Sequence, residues 1–265
     1  MTPYDRAHAA MENDPENEAL RLAVYDRLAD AELFVLLEEE PEGEDITPQV
    51  FATEDGDFIL AFDLEERLAA FVGAPAPYAA LPGRVIAQNL AGEAVGLGIN
   101  LGVADSAMLL PPEALEWLTH TLTHAPEATS ARPVSFEAPS LPPAVLGLLL
   151  PAFEAKFEQI AGLATDALLG GVTYEGGGRG HVLAFLGAPE PAQPGIAKAM
   201  AEALVFSGLE AGAIDVTFLA EDDPATDVLL EKALVLHLPE RVEEEVQELG
   251  RTPPGMDPDK PPILR

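Results

Sequence analysis

Apolar residues recur along the chain at a spacing that alternates between helical and strand-like. One set lies three to four residues apart after Asp14-Pro15, and this spacing predicts a helix, since a capping Asp followed by proline is typical of a helix start. The apolar run at residues 33–37 then predicts a buried strand. The residues on the apolar face of the helix are Leu20, Val24, Leu28 and Ala31.

A hairpin and a short helix are predicted next. Residues 49–53 and 58–62 are strand-like and flank Asp55-Gly56, a dipeptide that favours a hairpin turn. Asp63 is expected to cap a short helix that ends at Gly73. Further helices are predicted at residues 84–90 and 112–123.

Residues 95–101 alternate between apolar and small side chains, the small ones being Gly96, Gly98 and Asn100. A dinucleotide-binding loop requires G-x-G-x-x-G, and the P-loop ends in Gly-Lys-Ser/Thr. Here the third glycine, Gly102, comes one residue late and no such lysine follows. The alternation therefore predicts a strand with one bare face rather than a phosphate-binding loop. That face either packs closely against a neighbour or lines a pocket.

The organisation of the whole chain follows from a stretch rich in proline. Five prolines occur between His124 and Pro143, with little periodicity, and this predicts a linker at residues 124–141. We expect an α+β fold of two mixed α/β-sheet domains joined by this Pro-rich linker. The domains are predicted at residues 1–123 and 142–249, and residues 250–265 are expected to be a disordered tail.

The second domain repeats the mixture of helices and strands. Pro151 is expected to break or kink its first helix, because proline lacks the backbone N–H that a helix interior uses. The predicted helices cover residues 144–160, 196–206 and a segment from Asp223-Pro224. The predicted strands cover residues 164–174, 181–186, 213–219 and 233–238.

The charge of the chain narrows the classes of partner. With 46 acidic and 14 basic residues, the formal net charge is −32. Binding of nucleic acid or of anionic lipid depends on Lys and Arg, so neither a nucleic acid nor a membrane is an expected partner. The acidity is interpreted either as a device for solubility or as attraction to a basic protein partner.

The composition also indicates the cellular compartment in which the protein is expected. The chain contains no cysteine, which excludes disulfides, thiolate nucleophiles and cysteine metal sites. The first residues show no secretory pattern, and the apolar stretch at residues 144–150 is too short to span a bilayer. We therefore expect a cytoplasmic protein.

Two groups of residues are candidates for a binding site. Glu116, His120 and His124 follow each other at i, i+4 steps, so one helix face could present a carboxylate and two imidazoles to a metal ion. The alternative is a solvated helix face, opposite the apolar Leu115, Leu118 and Leu122.

The second candidate is Arg179, which lies among the glycines of residues 176–180. This segment is interpreted as a hairpin tip, and an anion site is the alternative. No serine-hydrolase elbow or calcium loop occurs, so no catalytic residue and no cofactor is predicted.

The order of motifs resembles that of a known family. FATEDGDFILAFDLEERL at 51–68 and VGLGINLGVADSAMLLPPEALEWL at 95–118 resemble the N-terminal domain of the SseB family. The second half, with AIDVTFLAEDDP at 213–224, is similar to the C-terminal domain of that family. The resemblance implies no established activity and no catalytic residues that could be transferred to this chain.

Three hypotheses about function follow. The first is a non-enzymatic cytoplasmic protein that acts through protein interaction or regulation. The second is a small-metabolite or amino-acid sensor, in which Asn100 and the bare glycine face line a pocket together with Arg84 or Arg179. The third, and the weakest, is a metal-dependent hydrolase that uses Glu116 and its two histidines.

Overall fold

The computed structural model describes residues 1–41, 46–54, 56–126, 130–210, 213–220 and 222–241. Helices pack on two mixed sheets, so the predicted α+β class is confirmed. The helices are α1 (Pro3–Asn13), α2 (Glu18–Asp30), α3 (Glu65–Val72), α4 (Gly83–Leu90), α5 (Pro112–Thr123), α6 (Pro143–Gln159), α7 (Gln193–Phe206) and α8 (Pro224–Leu230). The strands are β1 (Glu32–Leu36), β2 (Val50–Thr53), β3 (Gly56–Phe62), β4 (Tyr78–Pro82), β5 (Val95–Ile99), β6 (Met108–Leu110), β7 (Pro133–Glu137), β8 (Asp166–Tyr174), β9 (Arg179–Leu186), β10 (Asp215–Leu219) and β11 (Leu234–His237). None of the helices in these ranges is long and apolar enough to cross a membrane.

The first sheet has the strand order β4-β1-β3-β5-β6, and β2 also pairs with β3. Strands β3 and β5 run parallel, whereas the other pairs are antiparallel. The predicted hairpin is the β2–β3 pair, in which Phe51 lies opposite Phe58. The predicted strand with a bare face is β5.

The two faces of the first sheet are covered unequally. Helices α1, α2, α4 and α5 cover one face with a core that includes Leu28, Ile59, Leu97 and Leu115. The opposite face carries a smaller cluster around Phe62, against which α3 packs. Because side chains alternate along a strand, Leu97 and Ile99 of β5 point into the larger core, and its glycines point away from it.

The second sheet has the order β10-β9-β8-β11, with β7 also paired to β8. Helices α6 and α7 cover one face, where Phe153, Phe185 and Met200 are buried. Helix α8 covers the other face around Leu168 and Leu229, where Phe136 of β7 is also buried. The two halves touch through α7, which packs on α2 and α5 and places Phe206 in the core of the first half.

Several local expectations differ from the structure. Strand β7 falls inside the segment predicted as linker and pairs with β8. Pro151 lies within α6 without breaking it, because burial of Phe153 and Phe157 on this helix outweighs one missing backbone hydrogen bond. The predicted tail lies outside the described residues.

The predicted cap at Asp63 is also wrong. The residue that caps α3 is Leu64, and its side chain makes no capping hydrogen bond. The carboxylate of Asp63 instead accepts hydrogen bonds from Thr2 and Arg67. In the folded protein Asp63 has a stronger partner than the helix N–H groups, because a hydrogen bond from the charged Arg67 is stronger than one from a neutral donor.

Candidate functional site

A surface groove of about 250 Å³ lies between α2 and α5. The α2 wall follows the i, i+3, i+4, i+7 spacing that places side chains on one helix face. The α5 wall consists of two residues that are one turn apart. The lining residues are Glu18, Arg21, Leu22 and Tyr25 from α2, and Ala114 and Trp117 from α5.

Trp117 is the dominant side chain of the groove and is 40% exposed. Its ring lies edge-on to Tyr25, with 5.1 Å between the ring centroids, and 6.2 Å from the ring of Phe206. Because Phe206 ends α7, the groove borders the junction of the two halves. These two ring contacts fix the position of the indole, and 40% of the residue remains exposed to solvent.

The groove also carries charge of both signs. Glu18 and Arg21 are exposed and lie one turn apart at the start of α2. Glu18 can pair with a Lys side chain and Arg21 with an Asp side chain, and an aromatic ring attracts cations as well. The groove therefore combines apolar surface with groups of both charges.

Asn100 lies elsewhere, at the carboxyl ends of the parallel strands β3 and β5. It is fully buried and has a left-handed backbone with φ of 52°. Its Oδ1 accepts a hydrogen bond from the backbone N–H of Asp63 at 3.2 Å, and its Nδ2 donates to Ser106 Oγ at 3.2 Å. The side chain therefore joins the Asp63 backbone to the Ser106 hydroxyl, and none of its surface is open to solvent.

The same network reaches the first turn of α1. The Ser106 hydroxyl donates to Asp5 at 2.6 Å, and the Arg67 guanidinium donates to both Asp5 oxygens at 2.8 and 2.7 Å. Hydrogen bonds from Arg67 hold the pKa of the Asp5 carboxyl far below its usual range. Arg67 also donates to Asp63 at 2.6 Å. The polar groups satisfy one another and fasten α1 to the strand ends.

The glycines of β5 lie under large side chains of the sheet. A Cβ added to Gly96 would come within 2.4 Å of the Phe58 ring and 2.6 Å of the Leu110 carbonyl oxygen. A Cβ on Gly98 would come within 2.8 Å of Leu60 and Leu101. Of the two interpretations of the bare face, close packing is the one that the structure supports.

Arg84 belongs to a cluster of charges between the two halves. Its guanidinium donates to Asp30 of α2 and to Glu202 of α7, at 3.1 and 3.3 Å from the two Glu202 oxygens. Lys156 of α6 is fully buried beside the same acids. Its Nζ lies 2.7 Å from Asp26, 2.5 Å from Asp30 and 3.3 Å from Glu202.

Burial and charge act in opposite directions within this cluster. Burial raises the pKa of the Asp26 carboxyl above its usual range, despite the nearby Lys156. Burial likewise acts against ionisation of Asp30, but Lys156 and its other partners hold that pKa below its usual range. Desolvation would lower the pKa of Lys156, yet Asp26 and Asp30 raise it, so the ammonium group stays charged.

The remaining sequence candidates do not line the groove, and Arg179 lies in the second sheet, away from the candidates on α5. Arg179 is 71% exposed in its side chain and pairs with Glu137 at 3.0 Å. Glu116, His120 and His124 are exposed on α5, and the two imidazole centroids are 4.9 Å apart. Within the described ranges, no three His, Cys, Asp or Glu residues are arranged to hold a metal ion. The amino-acid sensor and the hydrolase stay predictions, and the residues named for the sensor are not brought together.

Sequence reasoning missed the groove and the buried lysine. A signal for the groove existed, because Trp117 falls outside the buried set of Leu115, Leu118 and Leu122 on the same helix. No comparable signal exists for Lys156, since a lysine on a helix is ordinarily solvated.

Residues 5–117 match a family of protein domains described as the SseB protein N-terminal domain. The match covers the elements from α1 into α5 and includes both walls of the groove. It ends before the second sheet, so the resemblance of the second half to the SseB C-terminal domain stays a prediction. No curated protein and no solved structure matches the chain.

Proposed function

We propose that this chain, a member of the SseB family through its N-terminal domain, is a non-enzymatic protein that acts by binding a protein partner. In this proposal the groove between α2 and α5 receives a segment of the partner that carries basic and apolar side chains. The observation that carries the proposal is the 40% exposure of Trp117 on a chain with a net charge of −32.

The chemistry of the groove supports this choice of partner. Tryptophan is enriched among the residues that dominate protein interfaces, because its rigid ring loses little entropy and covers a large area. A Lys or Arg side chain gains a cation–π contact above Trp117 and an ion pair with Glu18. The negative field of the whole chain accelerates the approach of such a segment and repels acidic competitors.

A defined probe tests the proposal. The probe is a synthetic twelve-residue peptide of Lys, Leu and Pro, and the control peptide has Glu in place of each Lys. We expect saturable one-to-one binding of the basic peptide that weakens as salt is added, and no binding of the acidic peptide. Trp117 is the only tryptophan of the chain, so its fluorescence follows the titration directly, and calorimetry gives Kd.

Three variants locate the binding. Trp117→Ala should raise the Kd for the basic peptide by at least about tenfold, as expected for an aromatic anchor. Glu18→Lys changes an exposed side chain and should weaken binding of the basic peptide without affecting the fold. Leu109→Ala removes another exposed apolar residue, 44% exposed on β6, and should leave Kd unchanged. An absence of saturable binding, or equal loss in all three variants, would refute the proposal.

A cytoplasmic location is part of the proposal. A chain without cysteine gains nothing from an oxidising compartment, since it has no disulfide to form. Fractionation of the producing cells, followed with an antibody to the chain, tests this; recovery with secreted or membrane material would contradict it.

A further inference from the structure

Residues 251–265, RTPPGMDPDKPPILR, differ in composition from the rest of the chain. They contain five prolines, and their three basic residues outnumber two acidic ones, whereas the whole chain has a net charge of −32. Pro258 and Pro261 are spaced as P-x-x-P, the pattern of segments that bind aromatic-lined grooves as polyproline II helices. These residues lie outside the described part of the chain.

The groove and this segment are complementary in charge. The groove presents Glu18 and Arg21 one turn apart on α2, beside the rings of Tyr25 and Trp117. The segment presents the adjacent pair Asp259-Lys260 directly before Pro261-Pro262. Lys260 can pair with Glu18 and Asp259 with Arg21 while the prolines lie on the rings.

The chain is long enough to connect the two. Arg241 lies beside Gly162, because a Cβ on Gly162 would be 2.8 Å from the Cβ of Arg241. Gln159, three residues before Gly162, donates a hydrogen bond to Asp30 at the end of α2.

Along α2, Arg21 is nine residues before Asp30, or about 14 Å at the rise of an α-helix. The path from Arg241 to the groove consists of the side-chain contacts up to Asp30 and of this length of α2. Together they amount to roughly 35 Å. Twenty residues of extended chain, from Arg241 to Pro261, reach up to about 66 Å.

We infer that the segment around Lys260-Pro261-Pro262 docks in the groove between α2 and α5 and competes there with a partner in trans. The inference rests on the groove being the binding site of the proposed function, and it adds the regulation of that site. Tethering gives the segment an effective concentration of the order of 1 mM. A contact with a Kd of about 0.25 mM would then keep the groove mostly occupied until a tighter or more concentrated partner displaces the segment.

The fluorescence of Trp117 measures this contact in the full chain. The triple variant Pro258→Ser, Pro261→Ser, Pro262→Ser should shift the Trp117 emission to longer wavelength and raise its acrylamide quenching, because the indole becomes more exposed. It should also bind the basic Lys, Leu and Pro peptide about fivefold more tightly than the wild type, since the competing segment is lost. The matched control is Pro253→Ser with Pro254→Ser, which alters the same segment outside the proposed contact and should match the wild type.

A charge reversal tests the pairing itself. Glu18→Lys and Lys260→Glu should each increase quenching of Trp117, and the two together should restore the wild-type value. The synthetic peptide of residues 251–265, added to the triple variant, should reverse its emission shift.

Equal quenching and equal peptide affinity in the wild type and the triple variant would overturn the inference. Basic-peptide binding in both chains would then leave the proposed function standing. Conversely, if the triple variant exposes Trp117 but neither chain binds the basic peptide, the contact within the chain stands and the proposed function fails.

Discussion

Asn100 combines complete burial with a left-handed backbone, φ 52°. Asn tolerates this backbone better than other residues with a Cβ, because its short polar side chain can hydrogen-bond locally. Here the amide bridges the Asp63 backbone and the Ser106 hydroxyl. The presence of Asn at this position therefore follows from the fold, because the position requires a left-handed backbone and offers hydrogen-bond partners to the buried amide.

Substitution of Asn100 separates these two contributions. Asn100→Ala should lower the free energy of unfolding by about 3 kcal/mol, since it leaves a buried N–H without a partner and keeps the left-handed strain. Asn100→Gly loses the same hydrogen bonds but removes the strain, so it should be about 1 kcal/mol less destabilising than Ala. Urea unfolding of the three proteins measures both differences. A glycine variant less stable than the alanine variant would contradict this explanation.

At the level of elements, β5 is shaped by its neighbours. Gly96 lies opposite Phe58 and Gly98 opposite Leu60 in the parallel register with β3. The large side chains of β3 fill the space that the glycines leave free. The pairing explains why one strand carries two bare positions while the adjacent strand carries aromatic and branched ones.

Gly96→Ala should therefore destabilise the protein by about 1–3 kcal/mol, the usual cost of overpacking a core. The Leu110 carbonyl oxygen, 2.6 Å from the new Cβ, belongs to backbone that cannot rotate away. The matched control is Gly147→Ala in α6, where no described atom beyond the local helix backbone lies within 4 Å of the new Cβ. That change should stabilise the protein by about 0.5–1 kcal/mol through helix propensity. Thermal and urea unfolding measure both, and equal effects at the two sites would refute the packing argument.

At the scale of the molecule, the two halves form one unit around a buried charge cluster. Lys156 of the second half lies against Asp26 and Asp30 of the first half and against Glu202 of its own. Arg84 completes the cluster from the first half. Arg27 and Lys198 lie farther away, each 3.9 Å from a carboxylate of the cluster. Lys156 is the fully buried cation, so its removal leaves buried acid groups without their nearest compensating charge.

Lys156→Met should lower the free energy of unfolding at neutral pH by about 3–5 kcal/mol, as expected when one member of a buried ion pair is removed. The second change Asp26→Leu should recover part of this loss, because burial already raises the pKa of Asp26 and disfavours its charge. Urea unfolding of the single and double variants measures the recovery. A double variant less stable than Lys156→Met alone would show that Asp26 stabilises the junction without the lysine.

Several elements were predictable because their signals are local. The helix at residues 112–123 was predicted with its bounds, and the strand at 95–101 came from alternation of side chains over seven residues. Short or irregular elements escaped prediction. Strand β4 is a five-residue edge strand that ends in proline, and β7 begins with proline and has four exposed residues, so neither shows an apolar alternation.

The sequence by itself determined the α+β class, the failed phosphate-loop spacing, the charge of −32 and the N-terminal family resemblance. Only the tertiary structure decided that the glycine face of β5 is packed, that Lys156 is buried and that Trp117 lines a groove. The physical reason is range. Periodicity and turn chemistry act between residues that are near in sequence, whereas burial and pairing depend on elements as distant as α2 and α6. The partner of each exposed or charged side chain is therefore fixed only when the chain has folded.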